Sequence, residues 1–203
     1  IKFQWFKQIL GIMGDEFVGQ VISGSNDLLI PGLKTYIISY DMLVFKTRKS
    51  KTGKTINQGF DITKFDGIIK TVVLDECQQI KNPDSSRTQQ VRRIVKDKAV
   101  IALSGTPWKN RGSEFFSVLN MLAPTKFSSY GNYIQRWVDT YWDGNKQKEG
   151  GIRNPEKFKE YIKDIAIRRE IADVAVEMPD VNRMRLDIQL DNLSQITYDD
   201  EVS

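Results

Sequence analysis

Two apolar runs, each stopped abruptly by polar residues, most constrain what this chain can fold into. Val72, Val73 and Leu74 lead straight into Asp75 and Glu76, and Ala99 to Leu103 leads into Ser104-Gly-Thr-Pro107. Between them, Pro83 to Ser86 reads as a turn with a serine cap, followed by a basic helix from Arg87 to about Lys96. A serine suits that place because its hydroxyl accepts from the unpaired N–H groups of a first helical turn. Strands separated by helices predict an α/β fold with a largely parallel sheet in the first 125 residues. In such sheets ligands collect outside the carboxyl ends of the strands. Asp75, Glu76 and the Ser104 to Thr106 turn all fall at that rim.

The rest of the chain is read around this centre. Ile1 to Leu10 predicts a helix with Phe3, Phe6 and Leu10 on one stripe, ended by Gly11 and Gly14. Val18 to Ser23 and Thr35 to Ser39 predict short strands, and Tyr40 to Val44 a helix start or extended turn. Lys46 to Lys54 is basic and almost free of apolar residues, as an exposed hairpin or loop would be. Ile68 to Leu74 predicts a buried strand, and Glu114 to Leu122 a helix stopped before Pro124. Beyond it, Ser129 to Trp142 predicts an aromatic-rich helix and Asp143 to Gly151 a polar loop. Pro155 opens a helix expected to run past Ile167 toward Val174, broken at Met178-Pro179-Asp180. Met184 to Leu190 alternates like an edge strand or linker.

Composition excludes several chemistries. The 203 residues contain no histidine, which removes a histidine triad, a histidine general base and a histidine-ligated zinc. The single Cys77 excludes an internal disulfide framework and fits a reducing compartment. No apolar stretch approaches the length needed to span a bilayer. The opening Ile1 to Trp5 shows neither a signal-peptide pattern nor an initiating methionine. Net charge is +4, yet the five acids after Arg185 meet no basic residue, so removing them leaves +9 for residues 1–185. Such a surplus permits contacts to a phosphate backbone without requiring them. No feature of the sequence bears on oligomeric state.

Chemistry must therefore come from acids, lysines and arginines, and hydroxyls. Phosphoryl transfer needs one carboxylate to hold Mg²⁺, usually through water, and an acceptor that orients the attacking water. Asp75 and Glu76, leaving a strand together, can diverge into those two roles; a solvated acidic turn uses the same residues. Ser104 and Thr106 supply short hydroxyls, and Gly105 permits a tight or close-approaching backbone. Gly53-Lys-Thr55 imitates the end of a phosphate-binding loop, but Arg48 stands where that loop needs its first glycine. Arg87, Arg92, Arg93, Lys96 and Lys98, and separately Lys109, Asn110 and Arg111, are candidates for phosphate contacts or plain solvated charge. The spacing of Tyr130, Tyr133, Trp137, Tyr141 and Trp142 predicts helix packing in preference to base stacking.

Taken in order, these segments resemble the first motor lobe of Swi/Snf-type proteins, superfamily-two translocases on double-stranded DNA, and the resemblance covers nearly the whole chain. Asp75-Glu-Cys-Gln78 resembles the family's DEAH-type box, with Lys81-Asn82 after it. Leu103-Ser-Gly-Thr-Pro107, Asn110, Glu114, Phe115 and Leu119 to Pro124 resemble its T-G-T-P signature and the helix that follows. Ser39-Tyr40-Asp41 resembles its T-Y-E/D element, and the Trp5 region the helix after its first post-loop strand. Ile167-Arg168-Arg169 and Glu177-Met-Pro179 are similar to its L-R-R and L-P stretch.

The resemblance implies a RecA-like lobe at 1–125, lacking its Walker A unit, a helical insertion at 126–178 and a linker at 179–203. It implies ATP and Mg²⁺ as cofactors of the parent protein, with Asp75 on Mg²⁺ and Glu76 activating water. Gln78, Ser104, Gly105 and Thr106 would couple nucleotide state to DNA grip. Ser39, Tyr40, Lys109, Asn110 and Arg111 would face the DNA backbone. A phosphate-binding segment before Ile1 and a second lobe after Ser203 are then expected partners in cis, and this piece alone is expected to be inactive. Gln78 departs from the family's usual histidine and cannot titrate. A bacterial or phage source would make the protein cytoplasmic, a eukaryotic one nuclear. Two other readings fit the residues: a non-catalytic nucleic-acid-binding scaffold with a degenerate motor fold, or the motor part of a restriction enzyme or strand-separating helicase.

Overall fold

The computed structural model describes residues 2–14, 17–44, 46–49, 55–108 and 110–169. Strands β5 (Thr71–Leu74) and β6 (Ala99–Ala102) lie side by side and parallel, with Leu74 opposite Ala102. The crossover between them is α3 (Ser86–Val95), whose start is set locally: Ser85 Oγ accepts from the Thr88 N–H at 3.2 Å. Val91, Ile94 and Val95 recur at helical spacing and are buried, while Arg93 on the opposite side is exposed.

A second parallel pair joins β1 (Gly19–Ile22) to β2 (Thr35–Ile38). Helix α1 (Lys2–Met13) lies against this pair, with Phe6 edge-on to Phe17 at 5.2 Å. Strand β2 passes through Ser39 into the one-turn α2 (Tyr40–Leu43). Lys46–Lys49 (β3) and Thr55–Gln58 (β4) form an antiparallel hairpin, as expected, while Gly53-Lys-Thr55 has its first two residues outside the described ones.

The structure corrects several of the sequence expectations. Helix α1 runs through Gly11 and stops at Gly14, whose φ of +57° takes the left-handed conformation that glycine tolerates. Strand β5 begins only at Thr71, because the Ile68 and Ile69 N–H groups donate back to the Phe65 carbonyl in a turn. Nor is it buried on both sides: Val72 and Val100 meet the core, but Val73 is 53% and Ile101 50% exposed. Among the described residues the strands form four two-stranded sheets, two of them parallel, and not one continuous ladder.

Helix α4 (Phe116–Leu122) stops before Pro124 as expected, and the largest departures follow it. The expected helix from Ser129 to Trp142 stops at Trp137, and the expected loop to Gly151 is mostly strand. In their place come α5 (Tyr130–Trp137), β7 (Val138–Asp143) and β8 (Lys146–Ile152). Asp143-Gly-Asn145 is a hairpin signal: Gly144, at φ +59°, turns the chain between residues of strand character. Helix α6 (Pro155–Ile162) is shorter than expected, ending in a turn where Ile165 and Ala166 N–H donate to the Ile162 carbonyl.

Phe127, Tyr133, Trp137, Val138, Ile152 and Phe158 share one core with Leu43, Leu74, Ile80, Val91 and Leu119. A smaller cluster of Ile22, Phe60 and Phe65 sits beneath β1 and β2. The chain divides into units 1–166 and 167–203, and these features belong to the first. The Glu177-Met-Pro179 stretch, the expected alternation from Met184 and the 179–203 linker lie outside the described residues.

Candidate active site

The β5–β6 pairing brings the acids to the serine turn. At the carboxyl end of the pair, Leu103 N–H donates to the Leu74 carbonyl at 2.8 Å, and Cys77 N–H returns to the Leu103 carbonyl at 2.9 Å. Asp75 and Glu76 are therefore stitched across to the residue before Ser104. Glu76 holds φ +48° and ψ +51°, a left-handed conformation disfavoured for a residue with a Cβ. Glu76 is exposed, and its N–H donates to Asp75 Oδ1 at 3.0 Å.

From Glu76 a polar line crosses to the second strand. Gln78 Nε2 donates to Glu76 Oε2 at 2.5 Å, and Ser104 Oγ donates to Gln78 Oε1 at 2.6 Å. The same Ser104 Oγ accepts from the Thr106 N–H at 3.0 Å. An amide can serve both ends because it carries a donor and an acceptor, and it does so without any proton exchange. Gly105 is different from its expectation: a Cβ there would meet no atom within 4 Å, and its φ is not among the positive ones. Nothing in the described chain requires a glycine at that position.

Tyr40 and Trp5 complete the surroundings of Asp75. The Tyr40 hydroxyl donates to the Asp75 carbonyl at 2.8 Å. Burial, with Cys77 and Asp75 adding to it, holds that phenol well above its ordinary pKa, so it remains a donor at all moderate pH. The Trp5 indole Nε1–H donates to Asp75 Oδ2 at 2.7 Å. No spacing argument connects Trp5 to Asp75, and the sequence reading gave it no role at the site. Cys77 faces inward, 3% exposed, and burial pushes its thiol up to about 11.

The remaining candidates stand farther out. Ser39 precedes α2 but makes no side-chain cap. Lys109 lies outside the described residues. Asn110 and Arg111 are exposed, and the Asn110 N–H donates to Glu114 Oε2 at 3.3 Å. Glu114 also meets Lys81 Nζ at 2.8 Å, while Ser117 Oγ donates to the Lys81 carbonyl. Of the basic helix, Arg87 bridges Gln79 and Asp41, the latter at 2.6 Å, and so ties α3 to α2. Among the described residues no group of three or more acids or cysteines could cage a metal ion. A cation here would rest on Asp75 with other ligands from water and substrate, the habit of Mg²⁺.

Comparison with known proteins gives a consistent picture. A family model described as the SNF2-related domain matches residues 26–203. The mouse DNA annealing helicase and endonuclease ZRANB3 is 23% identical over 198 residues, covering 94% of this chain and 18% of that protein. The yeast DNA repair and recombination protein RAD26 is 29% identical over 132 residues, covering 62% of this chain and 12% of that protein. Among solved structures, the Sulfolobus solfataricus SWI2/SNF2 ATPase core in complex with dsDNA superposes with a TM-score of 0.58 at 20% identity. That match covers 85% of this chain and 32% of the other. The chain therefore spans less than a fifth of the length of these curated relatives.

Proposed function

Because the chain belongs to the SNF2-related domain family, we propose that it forms part of the first motor lobe of an ATP-dependent translocase on double-stranded DNA. The observation that carries this reading is the unbroken line from Glu76 through Gln78 and Ser104 to the Thr106 N–H. It joins the group that would orient water to the turn that would report on it. ATP with Mg²⁺ supplies, when bound, the anhydride to be hydrolysed and the charge that steadies it.

Asp75 fits the Mg²⁺ side. A carboxylate offers about four lone-pair sites, and the Glu76 N–H and the Trp5 indole each occupy one, on different oxygens. Acceptor capacity therefore remains on both. Glu76 fits the water side, since its kinked backbone presents an exposed carboxylate steadied by Gln78. Gln78 passes any change at Glu76 to Ser104 and Thr106 as a displacement, not as a proton, and Gly105 leaves open space beside that turn. Ser39, Lys109, Asn110 and Arg111 would make sequence-independent phosphate contacts. Tyr40 would act from the same side, but through its hydrogen bond to Asp75.

The test is DNA-stimulated ATP hydrolysis by the complete gene product. Glu76→Gln is expected to lower turnover on the order of a hundredfold or more, as loss of a positioned base does. Salt-dependent DNA binding should survive the change. DNA binding without turnover in the unaltered protein would overturn the motor reading in favour of a scaffold. Efficient strand displacement would point to a strand-separating helicase instead.

A further inference from the structure

We infer that Trp5 is a positioning residue for the Asp75 carboxylate, a role that rests on reading Asp75 as the Mg²⁺-side acid. Trp5 lies on α1, outside the 26–203 segment matched by the family model, and 70 residues from its partner. The contact is short, 2.7 Å, and points an obligate donor at an acceptor-only group. Its neighbour Phe3 is 59% exposed, whereas the Trp5 ring is half-buried and turned to the site.

Three restraints converge on one residue. Glu76 N–H takes Oδ1, the Trp5 indole takes Oδ2, and the Tyr40 hydroxyl takes the carbonyl. The first is made within the turn itself and follows the carboxylate wherever the turn goes. Among the described residues only the indole reaches the side chain from another element, so it fixes which way the two remaining lone pairs face. Indole nitrogen has no acceptor capacity and cannot replace Asp75. Removing it should leave Asp75 able to bind Mg²⁺ but held on Oδ1 alone, so that Oδ2 gains freedom about a terminal torsion that is broad and soft. Groups that orient a metal ligand in this way typically contribute ten- to hundredfold in metal affinity or activity.

Two measurements test this. The chain contains four tryptophans, so ¹⁵N-labelled indoles give four N–H signals, and Trp5→Phe removes and thereby assigns one. In Asp75→Ala that signal should move and exchange faster with solvent, while the other three hold still. Asp75→Asn, which keeps an acceptor oxygen and the shape, should perturb it less. A Trp5 signal indifferent to both Asp75 variants overturns the inference. In the complete gene product, Trp5→Phe should raise the Mg²⁺ concentration for half-maximal turnover about tenfold. The KM for ATP at saturating Mg²⁺ should stay nearly constant, and no further loss should appear in the Asp75→Ala background. Unchanged Mg²⁺ dependence alongside normal turnover refutes the positioning role and leaves the motor reading intact. Absent turnover in the unaltered protein defeats the motor reading, while the indole signal still decides the contact.

Discussion

The left-handed backbone of Glu76 makes a prediction whose sign runs against ordinary experience. At right-handed positions, replacing alanine by glycine costs roughly 0.5–1 kcal/mol because glycine loses more freedom on folding. At φ +48° the balance reverses, since any Cβ crowds the following carbonyl at a cost of about 1–2 kcal/mol. Glu76→Ala and Glu76→Gly both delete the exposed hydrogen bond from Gln78, so that loss cancels between them. What remains is strain relief less the entropy of glycine, and Glu76→Gly should be the more stable variant by roughly 1 kcal/mol. For a chain of this size that corresponds to about 2–4 °C in melting temperature. Urea and thermal unfolding of the two variants, with Glu76→Gln beside them, read the difference directly. Both should lack turnover, so a stabilised protein would be an inactive one, as expected where a strained residue serves chemistry. Equal stability, or alanine above glycine, would refute the claim that strain is held at Glu76.

Other outcomes follow from the same structure. A Cβ on Gly112 would lie 2.8 Å from Ile152 Cδ1 and 2.9 Å from the Gly151 carbonyl oxygen; since backbone cannot yield as a side chain does, Gly112→Ala should destabilise by about 1–3 kcal/mol in urea. Gly105→Ala meets open space and should change stability by less than about 0.5 kcal/mol, so any loss of DNA-stimulated turnover in it would report a functional demand on that turn. The Cys77 thiol, raised by burial to about 11 from 9.0, should react slowly with thiol reagents at pH 8 until the protein unfolds. A raised folded pKa means the stabilisation is complete below about pH 9 and is lost as pH climbs toward 11. Cys77→Ala should flatten that part of the pH–stability curve.

Features carried by a few neighbouring residues were legible in the sequence. The serine cap and the basic helix expected from Arg87 to about Lys96 match α3 (Ser86–Val95, capped by Ser85) to within a residue, because capping and helical periodicity act over one or two turns. The acids after Leu74 and the turn after Ala102 were placed at the strand rim correctly for the same reason. The hairpin of β7 and β8 was equally local but misread. The aromatic spacing of Tyr130, Tyr133 and Trp137 is truly helical, and extending it to Trp142 ignored the Asp143-Gly144 turn that ends one period and starts another. The buried strand expected up to Leu74 is covered on one face only, because side chains alternate along β5 and Val73 is left outside.

The sequence alone determined the order of strands and helices as far as Pro124, the two polar rims they end in, and the family to which that order belongs. The absence of histidine likewise settled that any relay through Gln78 must be a non-titrating one. Only the tertiary structure decided which side chains meet there: that Gln78 bridges Glu76 to Ser104, that Tyr40 braces the Asp75 backbone, and that Trp5 reaches its carboxylate. The physical reason is range. Caps and periodic faces are set by residues within a turn of one another. A hydrogen bond spanning 70 positions exists only after packing has brought two independent elements together, and nothing in either local sequence announces the other.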